Sequence, residues 1–210
     1  MAVRMPRAER REQLVRCAAS VFVRGGFGAT SMDDVAREAG VTRLIVYRIF
    51  ETKDDLYRAV LDAVLDDVAG EFDEPLGDGA DDPRRSVVGR VFGVARRQPD
   101  GFRLLWRHAA HEPAFADTAA VAKVAVTEFA LDLLRDVFDD PVLRLWAAES
   151  LVTFLHESIC LWLDDGDPAR DDECLMMLVD GVRATVQRWA ERAASADRQE
   201  PQRGVAHRLR

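Results

Sequence analysis

Residues 25–58 read GGFGATSMDDVAREAGVTRLIVYRIFETKDDLYR, and this stretch decides the fold of the 210-residue chain. Ser31 stands just ahead of an apolar pattern with Asp34 three positions on. That is the spacing of a capping box, in which each side chain accepts a hydrogen bond from the other residue's backbone N–H. Met32, Val35, Ala36 and Ala39 then fall at i, i+3, i+4 and i+7, one apolar face of a short helix. Gly40 follows just past its end, where a left-handed backbone costs glycine nothing. Thr42 caps a second short helix, with Val41, Val46 and Phe50 offered inward and Arg43, Tyr47 and Arg48 left outside. Thr52 and Asp55 repeat the capping pattern for a third helix. Upstream, Leu14, Ala18 and Phe22 recur every four residues, which predicts a preceding helix ending at Gly25-Gly26. Two short helices around a tight glycine turn form a helix-turn-helix, whose second helix lies in the DNA major groove. Lys53, at the start of the third helix, places an ammonium beside free backbone N–H groups, an arrangement that suits a phosphate.

Charge points to the same partner. Residues 1–58 hold eleven Lys/Arg against eight Asp/Glu, a net of +3, and the remaining residues hold 18 against 29, a net of −11. Four of the first eleven residues are Arg4, Arg7, Arg10 and Arg11. A basic end on an acidic body is the electrostatic footprint of a modular nucleic-acid binder, with contact confined to that end.

The run from Gly26 to Leu56 resembles the N-terminal domain of the tetracycline-repressor (TetR) family of bacterial transcriptional regulators. The matching positions are Gly26, Phe27, Thr30, Ser31, Val35, Ala36, Ala39, Gly40, Val41, Tyr47, Phe50, Lys53 and Leu56. The resemblance implies that Thr30 or Ser31 and Tyr47 contact phosphates, that Lys53 anchors one, and that Arg43 and Arg48 face base edges or backbone. Thr42 and Leu44 complete the expected contact set. Three positions depart from the family pattern: Leu44 stands where a small residue is usual, Ile45 where Thr or Ser is, and Ile49 where His is. Either Leu44 and Ile45 press on thymine methyls, a legitimate apolar readout, or the chain makes fewer phosphate contacts than its relatives. The second outcome leaves an alternative, a TetR-like ligand- or protein-binding adaptor with weakened DNA binding.

With 48% hydrophobic residues the chain has material for a real core. It reads as all-α: a headpiece over 1–52, a helical ligand-binding and dimerisation domain over 53–194, and a disordered tail over 195–210. Beyond residue 53 the pattern predicts a helix to about Phe72, a break from Glu74-Pro75 to Pro83, and a helix over 84–98. A short helix to about His111, one opened by Pro113, an apolar helix over 142–163 and a final helix to about Ala193 follow. No window alternates with period two, so no strands are expected. Arg144, Glu149, His156 and Glu157 interrupt the apolar stretch over 142–163, which argues against a membrane span. The N-terminus lacks the apolar run of a signal peptide. Cys17, Cys160 and Cys174 have no disulfide or metal spacing and read as reduced thiols of a cytoplasmic protein.

Leu175, Val179, Val182, Val186 and Trp189 follow a heptad-like spacing, which predicts the seam of a homodimer. Two headpieces related by a two-fold axis would read a palindromic operator in double-stranded DNA. The resemblance implies a small-molecule effector enclosed by the middle helices. Phe92, Phe102, Trp106, Phe129, Trp146 and Phe154 are the candidate lining, with a polar row at Glu149, Thr153, His156 and Cys160. The ligand is expected to be small and apolar and to release a repressor from its operator. No cofactor is expected. His108, His111 and Glu112 lack a third ligand at helical spacing, so no metal is expected. No nucleophile-elbow, phosphate-loop or paired-cysteine motif occurs, so the chain is not read as an enzyme.

Overall fold

A computed structural model describes residues 5–72 and 86–197. The break expected from Glu74 to Pro83 lies outside the described residues; the tail expected to be disordered from residue 195 instead continues α9 through Asp197, and its remainder lies outside them. The elements are α1 (Arg7–Ala29), α2 (Met32–Glu38), α3 (Arg43–Tyr47), α4 (Lys53–Phe72), α5 (Val87–Arg97), α6 (Pro99–Arg103), α7 (Ala116–Leu133), α8 (Pro141–Asp165) and α9 (Asp171–Asp197). A wide π turn over Leu104–His108 and a tighter 3-10 turn over Ala109–His111 continue α6. The fold is all-α, without a strand among the described residues.

Helix starts follow local chemistry. Ser86 accepts from the Gly89 N–H, so α5 opens at Val87 rather than at Arg84. Asp140 accepts from the N–H groups of Val142 and Leu143, and Pro141 takes the first position, where its missing N–H costs nothing. Pro113 does not open α7. Residues 112–115 form a turn instead, with the Phe115 N–H on the Glu112 carbonyl at 2.8 Å, and α7 starts at Ala116. Gly26, at φ +74°, breaks the helical path of α1, so its last turn is set apart at the expected place.

The chain forms two compact units, through Ala122 and from Lys123. In the first, α1 packs on α2, α4 and α6, and α4 packs on α5 and α6. The headpiece therefore shares a core with the helices that follow it and is not a body by itself. Leu14, Phe22, Val35, Val46, Leu56, Tyr57, Leu61 and Phe102 are fully buried. Helix α6 approaches α4 through Gly101, where a β-carbon would come within 2.7 Å of Val64 Cγ2. Four aromatic rings meet here. Tyr57 stacks on Phe115 at 4.3 Å and meets Phe22 and Phe27 edge-on at 5.0 and 5.1 Å. In the second unit, Leu134, Phe138, Ala147 and Ala148 form a core against which Leu151, Val186, Trp189 and Ala193 pack.

Candidate nucleic-acid interface

The capping box forms as its residues dictate. The Ser31 hydroxyl accepts from the Asp34 N–H at 3.2 Å, and the Ser31 N–H donates to the Asp34 carboxylate at 2.9 Å. The Ser31 side chain, first among several donors, holds the Asp34 carboxyl down at about 2. Helix α2 ends in a Schellman turn: Gly40 sits at φ +64°, and the N–H groups of Gly40 and Val41 reach the carbonyls of Arg37 and Ala36. This turn sets the angle at which α3 leaves. Val46 and Phe50 go inward, whereas Thr42, Arg43, Leu44, Tyr47 and Arg48 are exposed together on the outer face of α3. Ile45 and Ile49 are half-buried between the two faces.

The exposed face is already partly ordered. The Arg43 guanidinium donates to Asp33 and to the Tyr47 hydroxyl, each at 3.2 Å, and lies 5.1 Å from the Tyr47 ring centre. The Arg48 N–H donates to the Leu44 carbonyl at 3.1 Å, whereas its guanidinium makes no hydrogen bond or ion pair among the described residues. Thr42 occupies the N-cap position of α3 without a side-chain capping bond. Sequence reasoning missed Asp33, ten residues from its arginine, and Arg11, whose guanidinium lies over the Phe50 ring at 5.4 Å. No periodicity links such pairs.

Two expected phosphate contacts are placed otherwise. Thr30 is buried, and its hydroxyl points to the Val21 carbonyl at 3.5 Å. Its position between the end of α1 and the start of α2 turns it into the core. The Lys53 ammonium folds back onto the carbonyls of Phe27 at 2.7 Å, Thr30 at 3.0 Å and Gly28 at 3.5 Å, and stands 4.3 Å over the Phe27 ring. Its hydrogens are taken by carbonyls, which a phosphate would have to displace.

The expected effector lining divides between the two units. Phe92 and Phe102 are buried in the first, and the ring of Trp106 lies 6.1 Å from that of Phe102. Phe129, Trp146, Glu149, Thr153 and His156 belong to the second. The polar row along α8 does not share one environment. Glu149 and Thr153 are exposed, whereas His156 and Cys160 are buried, because only the C-terminal half of that face is covered within the chain. Trp146 and Phe154 are also largely exposed, with Trp146 leaning on Trp189 at 5.3 Å.

The expected dimer stripe is turned the other way. Leu175 and Val179 are buried, and Val186 and Trp189 pack on the core of their own unit, with Val182 half-buried between them. The stripe satisfies its apolar demand inside the chain. On these two helices a different set is bare: Val142, Leu143, Leu145, Trp146, Phe154 and Leu161 on α8, and Met176 and Met177 on α9. Among the described residues no group of three or more His, Cys, Asp or Glu is arranged to hold a metal, and no helix is long and apolar enough to cross a membrane.

Residues 14–60 match the model of the bacterial regulatory proteins of the tetR family. The transcriptional activator FasR of Mycolicibacterium smegmatis is 32% identical over 176 residues, covering 82% of this chain and 80% of its own. The chain belongs to the TetR family. It is a DNA-binding transcriptional regulator, and α2 and α3 lie within the part of the chain that the family model matches. The repressor KstR2 of Rhodococcus jostii shares 33% over 72 residues, 34% of this chain and 35% of its own. A TetR-like regulator from Rhodococcus sp. RHA1, 21% identical, superposes with a TM-score of 0.69 over 91% of this chain and 99% of its own. A tetR-family regulator from Streptomyces coelicolor, 25% identical, gives 0.62 over 97% of this chain and 100% of its own.

Proposed function

We propose that this TetR-family protein is a cytoplasmic, ligand-responsive homodimer that binds a palindromic operator and is released from it by a small apolar molecule. The observation that carries the reading is the α3 surface, where Thr42, Arg43, Leu44, Tyr47 and Arg48 are exposed together above a buried Val46 and Phe50. Arg48, whose guanidinium has no partner among the described residues, is assigned to a base edge. Tyr47, Thr42 and Ser31 are assigned to phosphates, and Arg43, held between Asp33 and Tyr47, to base or backbone. Leu44, 61% exposed, has the reach and chemistry for a thymine methyl. Lys53 is assigned to a phosphate, which would draw its ammonium off the carbonyls of Phe27 and Thr30, whereas the buried Thr30 supports the fold of the headpiece.

Dimerisation is assigned to the bare apolar residues of α8 and α9. Val142, Trp146, Leu161, Met176 and Met177 are all exposed on these two helices, and clustered exposed apolar side chains mark an interaction surface. The effector is assigned an apolar, aromatic or polycyclic character, in keeping with the aromatic side chains of α5 to α7. A second reading, activation rather than repression, is supported by the name of FasR, whereas that of KstR2 supports repression.

Selection of bound sequences from a random DNA pool tests the reading. Enrichment of a palindrome is the expected result, and no enrichment promotes the adaptor. Calorimetry on a compound found by thermal-shift screening then tests the coupling: operator DNA must weaken its binding by the factor by which it weakens operator binding.

A further inference from the structure

We propose that Asp33 is a specificity-determining residue of the α3 surface, a carboxylate that positions Arg43 for a base edge by holding it off the phosphates. This rests on the DNA-binding role proposed above for α3. Asp33 lies in the first turn of α2 and Arg43 opens α3, so their 3.2 Å contact bridges the turn of the helix-turn-helix. The other carboxylate of that first turn, Asp34, is engaged by Ser31 and Arg37. Asp33 takes no part in that capping box, which starts α2 without it. An acid near a helix N-terminus eases the helix dipole. The dipole does not account for a pairing with a residue ten positions further on.

Stability does not account for it either. The Arg43 and Asp33 side chains are 62% and 50% exposed, and ion pairs so open to water contribute little. What the pair changes is direction and charge. Nη1 of Arg43 donates to Asp33, Nη2 donates to the Tyr47 hydroxyl, and the guanidinium lies over the Tyr47 ring. One hydrogen on each Nη nitrogen and the Nε hydrogen stay available, enough for a forked pair of bonds to guanine. Together Asp33 and Arg43 carry no net charge. Affinity for the phosphate backbone comes from neutralising it and releasing counterions, which a lone arginine does and a neutral pair does not. Hydrogen bonds to a base edge need donors, and the pair keeps them. Asp33 thus weakens the grip on DNA of any sequence and leaves Arg43 its base contact.

The test is Asp33→Asn in the full chain, which keeps the side-chain shape and removes the charge. At low salt its affinity for a random-sequence duplex should rise about ten-fold, and the slope of log K against log salt should steepen by about 0.9 per protomer. Selection from a random DNA pool should lose preference at one position of each half-site, the position that Arg43→Ala also relaxes. In the Arg43→Ala background Asp33→Asn should change neither slope nor preference, because the carboxylate acts through that arginine. An unchanged or weaker affinity for the duplex, or an unchanged preferred sequence, overturns the assignment. So does an equal gain in the Arg43→Ala background, which means that Asp33 acts only by its own repulsion of phosphates. Native protein that binds no duplex and enriches no sequence fails the α3 reading itself, and the assignment with it. Native protein that enriches a palindrome upholds that reading and leaves the Asp33 variants to decide alone.

Discussion

Arg43 and Arg48 sit five residues apart on one short helix and are prepared differently. Arg43 is held by Asp33 and Tyr47 before DNA arrives, so less side-chain freedom is lost on binding. Arg48 has no such support and is expected to earn its order only on a base. Replacing it tests this: Arg48→Ala should cost about 1–3 kcal/mol of binding and relax the preference at one position of each half-site. Repeating the random-pool selection with the variant measures it, and an unchanged preferred sequence would remove Arg48 from base readout. Asp34 makes a second, simpler prediction. Its carboxyl is depressed from 3.8 to about 2, first by the Ser31 side chain, so the capping box contributes fully above pH 3.8 and fades as pH falls through 2. A carboxyl titration followed by NMR should give a midpoint near 2, and Ser31→Ala should raise it while costing about 1 kcal/mol of stability.

At the scale of elements, α8 and α9 decide how the second unit uses its apolar surface. The inward stripe of α9 is fixed by Ala147, Ala148, Leu134 and Phe138, small and large residues that leave room for Val186 and Trp189. Two variants separate the inward face from the outward one. Val186→Glu puts a charge against that core without a partner and should destabilise the chain by roughly 3 kcal/mol or more. Met177→Glu, at a residue 76% exposed in the chain, should leave the protomer folded and shift the protein toward monomer. Thermal unfolding and sedimentation velocity read the two outcomes. A Met177→Glu protein that remains a tight dimer would place the seam elsewhere on the surface.

At the scale of the whole molecule, a buried imidazole adds to the loss of stability in acid. His156 is 7% exposed, and burial pushes its pKa from 6.5 down to about 3. The folded chain keeps it neutral while the unfolded chain takes up the proton. Its contribution is therefore fully present above pH 6.5 and is lost as pH falls toward 3, by at most about 1.4 kcal/mol for each pH unit. Denaturant unfolding between pH 7 and 4 should show the native protein losing stability more steeply than His156→Gln, by up to one proton. Equal slopes would mean that His156 is protonated in the fold.

The helix-turn-helix, the all-α architecture and the family were legible in the residues alone. The Ser31–Asp34 box, the Thr52–Asp55 box and Gly40 are satisfied within five residues of themselves, so the chain carries their geometry wherever it folds. The same locality made the outer face of α3 readable, because Val46 and Phe50 had to go inward. Tertiary structure decided what local spacing leaves open. Periodicity showed that α9 carries an apolar stripe, but not that Leu175, Val186 and Trp189 would be covered by their own unit while Met176 and Met177 stay bare. It placed Glu149, Thr153, His156 and Cys160 in one row, yet burial divides that row halfway along. Nor did local spacing show that the Lys53 ammonium rests on carbonyls 23 to 26 residues away. Capping and periodicity act through neighbours in the chain, whereas burial and the partner of a long flexible cation depend on which distant segments pack beside it.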